Sequence, residues 1–101
     1  MLKEACVENF TNVPGVIERG AKRIELCDNL AVGGTTPSIG VIKITAEYCS
    51  DKDASIIVIL RPRGGDFVYS LMEKAIMMRD LEEITASHAN GIAVGALTAV
   101  N

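Results

Sequence analysis

The stretch that decides the fold is Ser55-Ile56-Ile57-Val58-Ile59-Leu60, which runs directly into Arg61-Pro62-Arg63-Gly64-Gly65-Asp66-Phe67. A run of mostly β-branched side chains predicts a buried strand, and the pair of glycines behind it marks a loop. Parallel α/β folds place their chemistry where a strand ends. We therefore expect the charged side chains of this loop to lie at a functional edge of a sheet.

Three more strands and three helices are predicted around this stretch. The strands cover residues 2–7, 23–27, 55–61 and 91–97, and the helices cover residues 13–19, 38–49 and 70–87. Ser38 is a suitable N-cap for the second helix, and Gly20 is a suitable stop for the first. Strands that alternate with helices in this way predict a parallel α/β sheet with crossover connections.

The first two strands alternate between apolar and polar side chains. Ile24 and Leu26 point to one face of the second strand, whereas its other side chains are polar or thiol groups. A sheet covered by helices on both faces would be apolar on both, so one polar face indicates the wall of a TIM-like (β/α) barrel. The predicted lumen face carries Glu4, Cys6, Arg23, Glu25, Cys27 and Arg61.

The length of the chain fits one domain and only half of such a barrel. A complete barrel has eight strands and about 250 residues, whereas this chain has 101 residues and four predicted strands. We therefore predict a single domain, residues 1–101, that forms a half-barrel of about four parallel strands and three helices. Its two edge strands and its lumen would face water. Either the chain is a truncated, inactive fragment or copies of it associate as a homo-oligomer.

Composition and charge exclude several classes of partner. The net charge is −3 and no run of Lys or Arg occurs, which argues against nucleic-acid binding. No apolar run approaches the roughly 20 residues of a membrane span, and Glu4 interrupts the position of a signal-peptide core. The three cysteines include no CxxC pair, so we expect free thiols in a cytoplasmic protein.

The loop after the third strand is the first candidate site. The guanidinium groups of Arg61 and Arg63, with the backbone around Gly64 and Gly65, could hold a carboxylate or a phosphate. Arg63 is the better ligand of the two if Arg61 is engaged elsewhere. Alternatively, the loop is an arginine–Asp66 latch that closes the barrel rim.

A second anion site is predicted in Gly33-Gly34-Thr35-Thr36-Pro37-Ser38. Backbone amides at the start of a helix, together with the hydroxyls of Thr36 and Ser38, suit an anion. The stretch has neither the lysine of a P-loop nor the GxGxxG pattern. A capped strand-to-helix turn is the simpler interpretation.

The paired carboxylates Glu4 and Glu25 are candidate general acids or bases. Both are predicted on the same face of neighbouring strands, which lie about 4.8 Å apart, so they could share a proton or flank a substrate. In an enzyme acting on a small anion, Arg61, Arg63 and Asp66 would place the anionic group. Salt bridges from Arg23 and Arg61 to Glu4 or Glu25 are the alternative.

Cys6 and Cys27 form a candidate metal site. Each is two residues past one of the carboxylates, on the predicted lumen face near the upper rim. Two thiolates in proximity suit Cu(I), a soft ion of low coordination number. Cysteine is also a common buried residue, and Cys49 is expected to be structural only.

Several motifs together resemble one family. They are Glu4-Ala5-Cys6-Val7, Arg23-Ile24-Glu25-Leu26-Cys27, Gly33-Gly34-Thr35-Thr36-Pro37-Ser38, the 61–67 loop with Tyr69, and Gly95-Ala96-Leu97-Thr98. In this order, over essentially the whole chain, they look like the CutC family, which is associated with copper homeostasis. The resemblance implies the N-terminal half of a TIM-like barrel about twice as long. It also implies a cytoplasmic, copper-binding protein with Cys6 and Cys27 as Cu(I) ligands.

Overall fold

The structure is a computed structural model that describes residues 3–95. Strands and helices alternate along the chain, with one short 3-10 helix at Leu30–Val32. The strands are β1 (Glu4–Glu8), β2 (Arg23–Cys27), β3 (Ser55–Leu60) and β4 (Gly91–Val94), and the helices are α1 (Val13–Glu18), α2 (Ile39–Cys49) and α3 (Leu71–Ala86).

The four strands form one parallel sheet in the order β1-β2-β3-β4. Each strand is hydrogen-bonded to the next one along the chain, as in a barrel wall rather than in a doubly wound sheet. The predicted α/β fold with four parallel strands and three helices is therefore confirmed.

The predicted bounds differ from the observed ones by a residue or two at the ends. β2 has the predicted bounds, β1 runs one residue further to Glu8, and β3 ends at Leu60. Leu2 and the predicted end of the fourth strand at residues 96–97 lie outside the described residues. Helix α2 begins after Ser38, whose hydroxyl accepts a hydrogen bond from the Val41 amide and so acts as the predicted N-cap.

One face of the sheet is packed and the other is open. Ile24 and Leu26 are fully buried beneath the helices, and alternate residues of β3 follow the same pattern. The opposite face carries Glu4 and Cys6, both exposed, and the half-buried Glu25. The predicted alternation is confirmed, because the helices cover only one side of the sheet.

Helix α3 begins with a capping box. The Ser70 hydroxyl accepts a hydrogen bond from the Glu73 amide, and the Glu73 carboxylate accepts one from the Ser70 amide. This reciprocal arrangement satisfies two backbone donors at the helix start. Across residues 3–95, no helix combines the length and the apolar character that crossing a bilayer requires.

Candidate functional site

The candidate residues lie on the open face of the sheet and around the carboxyl ends of its strands, which form the rim. Three loops meet there: the one after β1, the one containing the 3-10 helix, and the 61–69 loop after β3. Parallel α/β folds carry their chemistry at this end. A larger cavity of about 640 Å³, lined by Lys22, Cys49 and His88 among others, lies at the opposite end of the sheet.

Arg63 holds the 61–69 loop together. Its Nε donates to Glu73 Oε2 at 2.5 Å and its Nη2 donates to Glu73 Oε1 at 3.3 Å, a bidentate pair. Further bonds reach Asp66 Oδ1 at 3.2 Å and the carbonyl oxygens of Gly64, Asp66 and Val68. All three guanidinium nitrogens are engaged, so this is the arginine–aspartate latch that the sequence left as an alternative.

Glu73 is the part of this latch that sequence reasoning missed. Hydrogen bonds from Arg63 and from the Ser70 amide lower the pKa of Glu73 to about 2, and the same ion pair raises the pKa of Arg63. The Ser-x-x-Glu spacing of residues 70–73 is a capping-box signature. This spacing predicts that the Glu73 side chain turns back toward Ser70, at the end of the loop.

Arg61 makes a different set of contacts. Its Nη1 donates to the carbonyl oxygens of Val32 and Gly34 at 2.7 and 3.1 Å, and its Nη2 donates to Gly65 O at 2.8 Å. The guanidinium carbon lies 4.8 Å from the centre of the Phe67 ring. The predicted pairing of Arg61 with Glu4 or Glu25 is wrong, because Arg61 lies beyond the end of β3 and crosses the rim to the loop after β2.

Within residues 3–95 the hydrogen-bond acceptors of the Arg61 guanidinium are all neutral carbonyl groups. No carboxylate in residues 3–95 forms an ion pair with it, and its buried Nε has no hydrogen-bond partner there. Arg61 and Phe67 line a rim cavity of about 250 Å³ together with Ile59 and Ala93. Gly33 beside it has φ +92°, a backbone conformation that favours glycine, and a Cβ there would lie 3.0 Å from Arg61 Nη1.

The two hydroxyls predicted to bind an anion have local partners. Thr36 Oγ1 accepts from the Arg61 amide at 2.8 Å and donates to the Arg61 carbonyl at 3.1 Å. Ser38 Oγ caps α2 through the Val41 amide at 3.2 Å. These contacts match the capped strand-to-helix turn given above as the simpler interpretation.

The two carboxylates share a face but are not side by side. Glu4 is level with Arg23 in the sheet register, and Arg23 Nη1 donates to Glu4 Oε1 at 2.5 Å. Glu25 is level instead with Cys6 on β1 and Ile57 on β3. Within the described residues Glu25 forms no ion pair, whereas Glu4 is paired with Arg23.

The two thiols predicted as metal ligands are in contact. Cys6 Sγ and Cys27 Sγ lie 3.6 Å apart, and Cys27 Sγ also donates to the Val7 carbonyl at 3.4 Å. Cys27 is fully buried, whereas Cys6 is exposed. Burial, the hydrogen bond with Cys6 and the negative charges of Glu25 and Glu8 together raise the pKa of Cys27 to about 12.

The thiol pair is close enough to share one metal ion. Two metal–sulfur bonds of about 2.3 Å, the zinc–thiolate length, would bridge the observed 3.6 Å separation at a bent sulfur–metal–sulfur angle of about 100°. Residues 3–95 contain no group of three or more His, Cys, Asp or Glu side chains placed to hold a metal ion. A tetrahedral zinc site is therefore not formed by these residues, whereas two soft donors suit Cu(I).

Comparison with known proteins identifies sequence relatives of this chain. The chain is 53% identical over 98 residues to a CutC family protein of Enterococcus faecalis, covering 97% of this chain and 47% of that protein. It is 40% identical over 97 residues to the human copper homeostasis protein cutC homolog, covering 96% of this chain and 34% of that protein. The chain thus spans about half, or less, of the length of these relatives.

A solved structure of a protein with this family name has the same fold. The crystal structure of a CutC protein from Streptococcus agalactiae superposes with a TM-score of 0.92 at 45% identity, over 97% of this chain and 47% of that one. The family model described as CutC family matches residues 1–101. The fold, the sequence relatives and the family model agree, and the chain belongs to the CutC family.

Proposed function

We propose that this chain takes part in copper homeostasis in the cytoplasm by binding Cu(I) through the thiolates of Cys6 and Cys27. The observation that carries the proposal is the 3.6 Å separation of the exposed Cys6 sulfur from the buried Cys27 sulfur. Thiolates are the preferred ligands of Cu(I), and the cytoplasm keeps them reduced. The human and mouse relatives are named as copper homeostasis proteins, which supports the same role here.

The environment of the two sulfurs gives each a distinct part in binding. Cys6 is exposed and would meet the incoming ion first, whereas Cys27 lies behind it, fully buried. Cys27 must release its proton to become a ligand. The negative charges of Glu25 and Glu8, which oppose ionisation of that thiol, would favour a cation bound between the two sulfurs.

A competition titration against a chromophoric Cu(I) chelator tests this proposal on the reduced protein. Cys6→Ser and Cys27→Ser should each weaken Cu(I) binding by at least tenfold, and the double variant should not compete measurably. Cys49→Ser is the matched control, because Cys49 is a buried thiol at the end of α2, away from the pair. Equal affinities for the wild type and the double variant would refute the proposal.

A second function is favoured by Arg61, whose guanidinium forms no ion pair in the part of the chain that the structure describes. We propose that the rim cavity binds the carboxylate or phosphate of a small anionic substrate, as in an enzyme, with Arg61 as the attracting cation and Glu25 as the carboxylate able to move a proton. The support is specific: in residues 3–95 Arg61 donates to neutral carbonyls and lines the cavity, whereas Arg63 is already neutralised by Glu73 and Asp66.

Thermal-shift measurements with phosphate and with succinate test this second function. The wild type should gain stability with either anion, and Arg61→Gln should lose that gain. Lys22→Gln is the control, since Lys22 is a cation at the opposite end of the sheet. If the anions stabilise Arg61→Gln as much as the wild type, Arg61 does not bind them.

A further inference from the structure

The backbone of Gly34 contacts both the thiol pair and the rim arginine. A Cβ on Gly34 would lie 3.3 Å from Cys27 Cβ and 3.5 Å from Cys27 Sγ, so the backbone of Gly34 packs directly on the Cys27 side chain. The Gly34 carbonyl oxygen accepts a hydrogen bond from Arg61 Nη1 at 3.1 Å. One residue thereby links the position of Arg61 to the cover of the buried thiol.

Gly34 is the last residue of a short loop, residues 29–34, whose base is fixed. The flanking residues Asp28 and Thr35 exchange two backbone hydrogen bonds, at 2.9 and 2.7 Å. Residues 29–33 are exposed, whereas Gly34 is buried. A segment with so little buried surface opens readily unless other contacts hold it.

Two charged side chains provide such contacts to the 29–34 loop. Arg61 Nη1 donates to the Val32 carbonyl at 2.7 Å as well as to Gly34. On the other side of the loop, Glu8 Oε1 accepts from the Leu30 amide at 2.6 Å. Hydrogen bonds to charged groups are stronger than those between neutral groups. Of the two side chains, Arg61 is the one bonded to the residue that covers Cys27.

From these contacts we infer that Arg61 is a positioning residue for the thiol pair, because it holds the 29–34 loop closed over Cys27. Loss of its bonds to the loop would open a path to the Cys27 sulfur while the base of the loop stays paired. In the proposed copper site, this loop would control how fast an ion reaches the inner sulfur. The inference itself concerns access alone and needs neither copper nor a bound anion, so it can fail while both proposed functions stand.

Alkylation by N-ethylmaleimide measures access to Cys27 in the reduced, metal-free chain of 101 residues. Every protein tested carries Cys6→Ser, so that an adduct on the exposed neighbouring thiol cannot block Cys27. Mass spectrometry after digestion gives the alkylation rates of Cys27 and Cys49 in the same sample. Because Cys49 is buried at the end of α2, its rate reports opening of the whole protein. The ratio of the Cys27 rate to the Cys49 rate is therefore the quantity compared.

Arg61→Gln should raise this ratio by about tenfold, because the loop loses its charged donor. Removal of a cation would by itself slow the alkylation of Cys27, since the thiolate is the species that reacts. A faster reaction therefore reports better access. Arg23→Gln is the matched control: it removes the same charge, but Arg23 donates to Glu4 and not to the loop, so the ratio should not change.

Two results would overturn the inference. The first is an equal ratio in Arg61→Gln and its parent, and the second is an equal rise in Arg61→Gln and Arg23→Gln. If Arg61→Gln fails to fold, as judged by circular dichroism, Arg61→Lys decides the question. Its single ammonium keeps the charge but cannot reproduce the planar fork of the guanidinium, so it too should raise the ratio, and an unchanged ratio would overturn the inference.

Discussion

Cys6 Sγ lies 3.6 Å from Cys27 Sγ, and the two thiols differ sharply in exposure. Cys27 is fully buried, and its thiol donates a hydrogen bond to the Val7 carbonyl. Desolvation is the main reason that its pKa rises to about 12. At neutral pH this side chain is therefore a protonated thiol, and any ion that binds there must displace the proton.

Copper binding should consequently depend on pH. Both ligands must be thiolates, and Cys27 is protonated up to about pH 12, so Cu(I) binding should release at least the Cys27 proton. Each unit of pH increase should therefore raise the apparent Cu(I) affinity by at least about tenfold. Chelator competition at several pH values between about pH 6 and pH 8 measures this slope. An affinity that is independent of pH would mean that Cys27 is not a ligand.

The same pKa predicts a loss of stability in alkali. The folded pKa of Cys27 is raised from its ordinary value of 9.0 to about 12, so its contribution to stability is fully present below pH 9 and is lost as the pH rises toward 12. Urea unfolding should show the free energy of unfolding falling over this window. Cys27→Ala should flatten that slope, and an unchanged slope in the variant would assign the effect to other groups.

The contact between Arg63 and Glu73 predicts that the folded protein loses stability as the pH falls in acid. The pKa of Glu73 is lowered from 4.5 to about 2, so the stabilisation is present above pH 4.5 and is lost as the pH falls toward 2. Glu73→Gln should lower the Tm by a few degrees at pH 7 and remove this part of the acid dependence. Glu82→Gln, on the exposed side of α3, should do neither, and equal effects of the two substitutions would contradict the latch.

The parallel half-barrel could be predicted because its signals are local. The one-sided alternation in Arg23–Cys27 reports which face the helices cover, and the cap at Ser38 fixes where α2 begins. The ends of β1 and β3 were misjudged by a residue because side-chain pattern does not show which amide makes the last ladder bond.

The positions of the charged side chains were harder to predict. Glu4 and Glu25 were correctly placed on one face, but their pairing depended on strand register, which puts Glu4 level with Arg23. Arg61 and Arg63 are two residues apart in the same loop, and nothing in their spacing shows that Arg63 turns to α3 while Arg61 crosses to the loop after β2. The partners of long, flexible side chains depend on tertiary contacts, which cannot be read from the local sequence pattern.

Two threonines that look alike in sequence should respond oppositely to replacement by valine. Thr36 Oγ1 makes two hydrogen bonds to the backbone of Arg61, whereas the buried hydroxyl of Thr45 has no hydrogen-bond partner among residues 3–95. Thr36→Val should cost about 1 kcal/mol or more because the Arg61 amide loses its acceptor, and Thr45→Val should stabilise by about 1 kcal/mol because an unsatisfied polar group is removed.

Urea unfolding of the two single variants at pH 7 checks this pair. Threonine and valine have similar shapes and similar helix propensities, so the replacement in α2 changes little besides the hydroxyl. Thr36→Val should also weaken stabilisation by phosphate if Arg61 binds it, because the turn that holds the Arg61 backbone is loosened. A destabilised Thr45→Val would mean that this hydroxyl has a partner in solution and that α2 packs differently against the sheet.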